Sequence, residues 1–256
     1  MRRFVIAAVA LAGLAAGSLV LGRAAPVDDE KAAKEADRAF VANLGKGDPK
    51  AIGSMLDRRF AWIDSEGRTR NRRETLKSLA TLVAASGPDS DVQSHFYGRM
   101  LTARGSYDNS AFLRVFVKRH HGWKAVVLME TPLAPGGEPA SMERSASAGD
   151  CENPCRAVPY VPKTQMDKDI LAAWKATKVL EWQEAGAPGD PVSSMRIFDF
   201  GTKSALMISQ HMPYRGGKPY TNVRVWVHGD NRWQVALSQQ VTIQSALPAP
   251  AVASKQ

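Results

Sequence analysis

The sequence predicts an α+β chain made of two unequal tandem units, and three observations carry that prediction. Apolar residues recur at helical steps in the opening part of each unit and at strand steps afterwards, the order of an α+β fold rather than of alternating βα units. Arg114-Val-Phe-Val, followed by Gly122-Trp123, is echoed by Arg224-Val-Trp-Val, followed by Arg232-Trp233; the two arginines and the two tryptophans are each 110 residues apart. Each of these stretches reads as a strand, a tight polar turn and a second strand opened by tryptophan.

Residues 1–25 are read as a targeting segment rather than as part of the fold. Arg2 and Arg3 precede an apolar run from Phe4 to Leu21, and small residues follow at Gly22–Ala25. That is the order of a secretory signal, so the expected location is periplasmic or secreted. The run is near the length needed to span a membrane, but its many Ala and Gly residues make it weakly hydrophobic, which favours cleavage. No cysteine lies near the cleavage site, which excludes a lipoprotein, and no stable membrane anchor is expected after cleavage. Removal of Arg2, Arg3 and Arg23 takes the net charge from +9 to +6. Such a charge lets a protein lean on anionic surfaces without implying nucleic-acid binding. The six tryptophans, Trp62, Trp123, Trp174, Trp182, Trp226 and Trp233, are spread over both units. That spread suits two packed cores better than a base-stacking platform, and no nucleic-acid partner is expected.

Taken in order, residues 28–133 form the complete unit. Ala33, Ala36, Phe40 and Leu44 step along one side of a helix over Asp28–Leu44, which Gly45-Lys-Gly47 ends. Asp48-Pro49 starts a second helix, with Asp48 as N-cap and Pro49 at the first helical position, and Ile52, Met55 and Leu56 supply its apolar side. Phe60–Asp64 reads as a strand turning at Ser65-Glu-Gly67. Asn71, with Glu74 three residues later, forms a capping box for a third helix through Leu76, Leu79, Leu82 and Val83, closed by Gly87-Pro88. Strands follow at Val92–Tyr97, Met100–Arg104, Leu113–Val117 and Trp123–Thr131.

Residues 134–165 read as a linker rich in Pro, Gly, Ser and Ala. It contains Cys151-Glu-Asn-Pro-Cys155, the two cysteines of the chain. In an exported protein this close pair predicts a structural disulfide. A metal site lacks the further ligands it needs, and a redox-active pair lacks the Cys-x-x-Cys spacing. Residues 166–244 form the shorter unit, with one helix over Asp167–Glu184 and strands at Ser194–Phe200, Ala205–His211, Val223–Val227 and Trp233–Thr242. One helix covers a four-stranded sheet poorly, so this unit is expected to pack on the first or to form a homodimer. Residues 245–256 read as a disordered tail.

Residues 29–133 resemble the nuclear-transport-factor-2-like superfamily, also known as the ketosteroid-isomerase or SnoaL-like fold. The resemblance rests on Phe40-Val41, Leu44 and Gly47-Asp48, on Phe60-Ala-Trp-Ile-Asp-Ser-Glu-Gly67, and on Arg114-Val-Phe-Val with Gly122-Trp123. Residues 167–243 look like a second member lacking the second helix and first hairpin. The resemblance implies cone-shaped units, each a curved antiparallel sheet packed on N-terminal helices, with a pocket at the open end. It does not imply one activity, because this fold carries enzymes and binders alike.

In ketosteroid-isomerase-like members a carboxylate near the first hairpin acts as base, which makes Asp64 the first candidate and Glu130 the second. The positions that would stabilise an oxyanion correspond to Phe40 and Leu113, neither of which donates a hydrogen bond. Turn chemistry alone also explains Asp64. Strict alternation puts Arg114 with Phe116 on one strand face and Lys124, Val126, Leu128 and Glu130 together on the other strand; an Arg114–Glu130 pair would orient a polar ligand if both faced the cone's interior, and would be an ordinary surface pair on the sheet's outer face. Phe40, Trp62, His95, Tyr97, Arg114 and Phe116 complete the expected ligand contacts. No metal constellation, phosphate loop or nucleophile motif occurs, and no cofactor is expected. Arg68, Arg70, Arg72 and Arg73 read as a solvated, charge-blunted hairpin edge. Binding of a small hydrophobic ligand or a partner is the favoured reading, and a SnoaL-like isomerase, lyase or hydrolase the alternative.

Overall fold

Four layers stack in the order helices, six-stranded sheet, four-stranded sheet, helix. The computed structural model describes residues 26–133, 158–185 (178–185 by backbone alone), 191–200, 203–212 and 217–244. The expected signal at 1–25, the Cys151–Cys155 disulfide and the tail at 245–256 lie outside them.

The first layer holds α1 (Pro26–Lys46), α2 (Pro49–Met55), α3 (Arg72–Lys77) and α4 (Leu79–Ala85). Local chemistry sets their ends. Asp28 and Asp29 sit in the first turn of α1 and Lys46 in its last, each favourable to the helix dipole. Gly47 takes φ +64°, and its N–H closes back on the Leu44 carbonyl at 2.9 Å. Asp48 caps α2 by accepting from the N–H groups of Lys50 (2.8 Å) and Ala51 (3.2 Å). Asn71 and Glu74 form a full capping box: Asn71 Oδ1 accepts from Glu74 N, and Glu74 Oε2 from Asn71 N. The single helix expected after it is two, because Ser78 leaves helical geometry (ψ 25°). That turn lets buried Thr75 on α3 and buried Leu79 and Leu82 on α4 all point inward.

The larger sheet contains β1 (Leu56–Ile63), β2 (Thr69–Asn71), β3 (Ser90–Phe96), β4 (Met100–Tyr107), β5 (Ser110–Arg119) and β6 (Gly122–Pro132), in the order β2-β1-β6-β5-β4-β3. Its pairs are antiparallel except β1–β6, which is parallel. After the loop and helices that follow β2, the four-strand meander returns β6 alongside β1 in the same direction. The smaller part has α5 (Gln165–Ala185) and β7 (Val192–Asp199), β8 (Ser204–His211), β9 (Tyr220–Gly229) and β10 (Arg232–Thr242), ordered β10-β9-β8-β7. The β9–β10 turn has positive φ at both Asp230 (49°) and Asn231 (58°), as a two-residue hairpin loop requires.

Strict alternation fails on β6. Val115 pairs with Val127 but Phe116 pairs with Ala125, so Val126 is the extra residue of a β-bulge. Trp123 and Ala125 therefore join Leu128 and Glu130 on the helix side, while Val126, Val127 and Met129 reach the other face. The β9–β10 pair has its bulge 110 residues later, at Ala236.

Three apolar cores follow from these faces. Phe40, Leu44, Ile52, Phe60, Trp62 and Phe116 lie between the first helices and the larger sheet. The reverse face, with Ile63, Leu113, Val115, Val127 and Met129, packs directly on Phe198, Leu206, Ile208, Val223 and Val225 of the smaller sheet. Ile170, Leu171 and Trp174 of α5 cover Met195, Met207 and Trp226 on the outermost side. Gly67 (φ +76°) belongs to this junction: a Cβ there would lie 2.7 Å from the Ile243 Cα and the Thr242 carbonyl oxygen. Gln244 N–H donates to the Glu66 carbonyl beside it, at 2.9 Å.

Candidate functional site

The site forms where α1 and the segment after α4 overhang the larger sheet. A cavity of about 250 Å³ is lined by Phe40, Val41 and Leu44 of α1, by Val83, Pro88 and Asp89, and by Tyr107, Arg114 and Leu128 of the sheet. A second, more open cleft of about 500 Å³ lies along α1 and β3, between Lys34, Asp37, Arg38, Asp89 and Val92. Val41 and Asp89 belong to both.

Arg114 is the centre of the polar wall. Its side chain is 3% exposed and grips two carboxylates. Nε and Nη2 donate to Asp37 at 2.7 and 3.2 Å, and Nη1 and Nη2 donate to Asp89 at 3.0 and 2.6 Å. The guanidinium also lies 4.0 Å above the Phe112 ring. Burial opposes its charge, but Asp89 and Asp37 together outweigh burial and raise its pKa further. Two carboxylates share the Arg114 guanidinium, and Arg38 acts on Asp37 as a further nearby cation. Burial, aided by repulsion from Asp89, raises the Asp37 pKa despite the Arg114 contact.

Behind this wall sits a second polar group. Glu130 is 2% exposed, and both carboxylate oxygens are occupied. Trp62 Nε1 donates to Oε2 at 3.0 Å and the Tyr107 hydroxyl to Oε1 at 2.5 Å. Burial raises the Glu130 pKa against these two hydrogen bonds, and burial together with the facing carboxylate pushes Tyr107 upward. Tyr107 stacks on Phe112 (5.3 Å, 16°), so the Glu130 and Arg114 networks meet through two rings.

Several expectations are corrected by this geometry. Arg114 and Glu130 share a face but do not pair; each has other partners. Asp64 is a turn residue: its oxygens accept from the backbone N–H of Glu66 and Arg68, from Arg68 Nε (2.8 Å) and from Arg70 Nη1 (2.6 Å). Burial alone would raise its pKa, but the Arg70 and Arg68 hydrogen bonds prevail and hold it below the usual carboxylate value. That leaves a poor base, outside the cavity wall. His95 is exposed on the edge strand β3, and Tyr97 packs toward the inter-sheet core, so neither reaches the cavity. Phe40 lines it; Phe116 stands edge-on behind Phe40 at 5.8 Å. Trp62 is fully buried, with Arg70 over its ring at 4.4 Å.

Asp37, Asp89, Tyr107, Val41 and Leu128 are site residues that the sequence reading passed over. A signal for Asp37 existed: it falls four residues after Ala33 and three before Phe40, on the apolar side of α1. Asp89 lies in a loop and has no such signal.

The chain is similar to solved structures of NTF2-like proteins over about two fifths of its length. A protein of the NTF2-like family from Streptomyces avermitilis, proposed as a dehydratase, is 18% identical, with 43% of this chain and 100% of that chain covered at a TM-score of 0.38. An NTF2-like protein from Cytophaga hutchinsonii is 14% identical over 41% of this chain and 98% of its own, at 0.36. One from Novosphingobium aromaticivorans, with a cystatin-like fold, is 16% identical over 43% and 87%, at 0.36. No protein-family model and no curated protein matches the chain.

Proposed function

We propose that this is an exported, non-catalytic protein whose first unit binds a compact, largely apolar small molecule, while the second unit, a shortened copy of the first, acts as its support. The cavity carries this reading. Its walls are mainly Phe40, Val41, Leu44, Val83, Pro88 and Leu128, and its polar groups are already held in place by partners within the protein. A preformed apolar cleft with a few fixed polar groups is the general form of a small-ligand site, and about 250 Å³ is just under the roughly 300–1,000 Å³ of drug-sized clefts. The carboxylates of Asp37 and Asp89 are acceptors at the polar wall, which favours a ligand that offers a hydrogen-bond donor or an amine over a carboxylate. Asp64 is engaged by two arginines and Glu130 by two hydrogen bonds outside the cavity lining, which supports binding over carboxylate-base catalysis.

A thermal-shift screen with compact apolar amines, matched alcohols and matched carboxylates tests the proposal. Stabilisation is expected in that order, and Val41→Trp, which fills the cavity from α1, is expected to abolish it while leaving the fold intact. A ligand that stabilises Val41→Trp as well as the parent binds elsewhere and defeats the proposal. Turnover of a bound compound, lost in Glu130→Gln with binding kept, would shift the assignment to a SnoaL-like isomerase, lyase or hydrolase.

A further inference from the structure

Away from the cavity, the rims of the two sheets meet around Phe198. This ring faces the inter-sheet core and is 3% exposed. The guanidinium carbons of Arg59 on β1 and Arg196 on β7 lie 5.6 and 5.8 Å from its centroid. A ring face attracts a cation, but two cations on one ring repel each other. Nearby, Arg119 lies over Phe200 at 5.3 Å and is neutralised by Asp57 at 2.6 Å. Asp57 also lies close enough to Arg59 for that cation to help lower the Asp57 pKa, but among the described residues neither Arg59 nor Arg196 forms an ion pair. Arg196 keeps part of its side chain in solvent, yet the surrounding protein removes enough water to lower its pKa. Arg58 adds a further exposed cation next to Arg59. The Arg68–Arg70 edge differs, because Asp64 and Glu66 already satisfy it.

We propose that Arg59 and Arg196, held over Phe198, form a phosphate-binding site that bridges the two units, for the phosphate of a soluble ester or of a phospholipid head group. Guanidiniums present planar forks that match phosphate oxygens, and a bound phosphate removes the repulsion between them. One arginine comes from each sheet, so the site is complete only when the two sheets are packed together. The site is independent of the cavity and of any ligand bound there.

Titration calorimetry on the full chain with inorganic phosphate, at constant ionic strength against chloride, is the first arm. Saturable binding is expected, weakened at least tenfold in Arg59→Gln and in Arg196→Gln and unchanged in Arg73→Gln, an exposed arginine on α3. Co-sedimentation with phosphatidylglycerol-containing and pure phosphatidylcholine vesicles is the second arm. Binding to the anionic vesicles, lost in the same two variants, places the phosphate on a lipid; binding of free phosphate alone places it on a soluble ester. All three substitutions are at exposed side chains, and far-UV circular dichroism confirms their fold. If neither phosphate nor anionic vesicles bind, or if Arg73→Gln weakens binding as much as Arg196→Gln, the site does not exist.

Discussion

Replacing Arg114 by methionine is expected to cost more than any other single change at the polar wall. The side chain is buried and makes four N–H···O contacts to Asp37 and Asp89. Methionine preserves much of the volume over Phe112 but leaves two carboxylates facing each other, one of them, Asp37, only 6% exposed. Removing one partner of a buried ion pair costs about 3–5 kcal/mol, which for a chain of this size lowers Tm by roughly 6–20 °C. The loss has a pH signature. Burial already raises the folded-state pKa of Asp37 above its unfolded value of 3.8, so its folded form prefers the proton, and stability falls as pH rises through the folded pKa. Without Arg114 that preference grows, and the deficit is expected to be greatest at neutral pH and to shrink on acidification. Urea titrations followed by tryptophan fluorescence at pH 5 and pH 8 measure both quantities. Adding Asp37→Leu is expected to restore part of the loss, because it removes the stranded charge. A deficit below about 1 kcal/mol at pH 8, or one that widens toward pH 5, would refute the charge-cluster argument.

Three further outcomes are expected. Glu130→Gln removes a carboxyl whose pKa burial raises, so wild-type stability declines with pH above the unfolded value of 4.5 in a way the variant's does not; parallel urea midpoints between pH 5 and pH 8 would contradict this. Asp64→Asn acts with the opposite sign. The Asp64 pKa is lowered, so its stabilisation is present above 3.8 and lost as pH falls through the folded pKa; the variant is expected to lose only about 1 kcal/mol at pH 7, because solvent reaches nearly half of the Arg68 side chain, and to converge with wild type in acid. Gly67→Ala combines positive φ with a backbone clash against Thr242 and Ile243, for roughly 1–3 kcal/mol, and faster amide exchange at Gln244 is expected to accompany it.

What the sequence revealed was local. Asp48 before Pro49 and Asn71 before Glu74 announce helix starts through contacts spanning two or three residues, and both caps form as expected. The spacing of Arg114-Val-Phe-Val and Trp123 placed the meander and its helix-side residues on β5. On β6 the same alternation argument failed after Val126, because a bulge is a property of the paired strand and leaves no mark in one strand's pattern. The site itself depends on contacts across 77 residues (Arg114 with Asp37), 68 (Trp62 with Glu130) and 25 (Arg114 with Asp89). Asp37 looks like one more charge on a solvated helix until the sheet brings Arg114 beneath it. His95 shows the reverse error: it has a strand position suited to a pocket, but β3 is the outermost strand and the His95 side chain is exposed.

The inter-sheet core has a consequence for how this protein behaves on dilution. A surface such as Leu113, Val115, Val127 and Met129, carried on a separate polypeptide, is covered only by bimolecular association, and its stability then depends on protein concentration. Here the covering sheet is tethered to it by the chain between Leu133 and Val158, so the encounter is unimolecular and its effective concentration is set by the tether rather than by the protein concentration. Such a protein keeps its apolar faces closed at nanomolar levels, where a dimer held by the same contacts would come apart. Cutting the chain once between the two sheets would turn a concentration-independent fold into a concentration-dependent one, without altering a single contact.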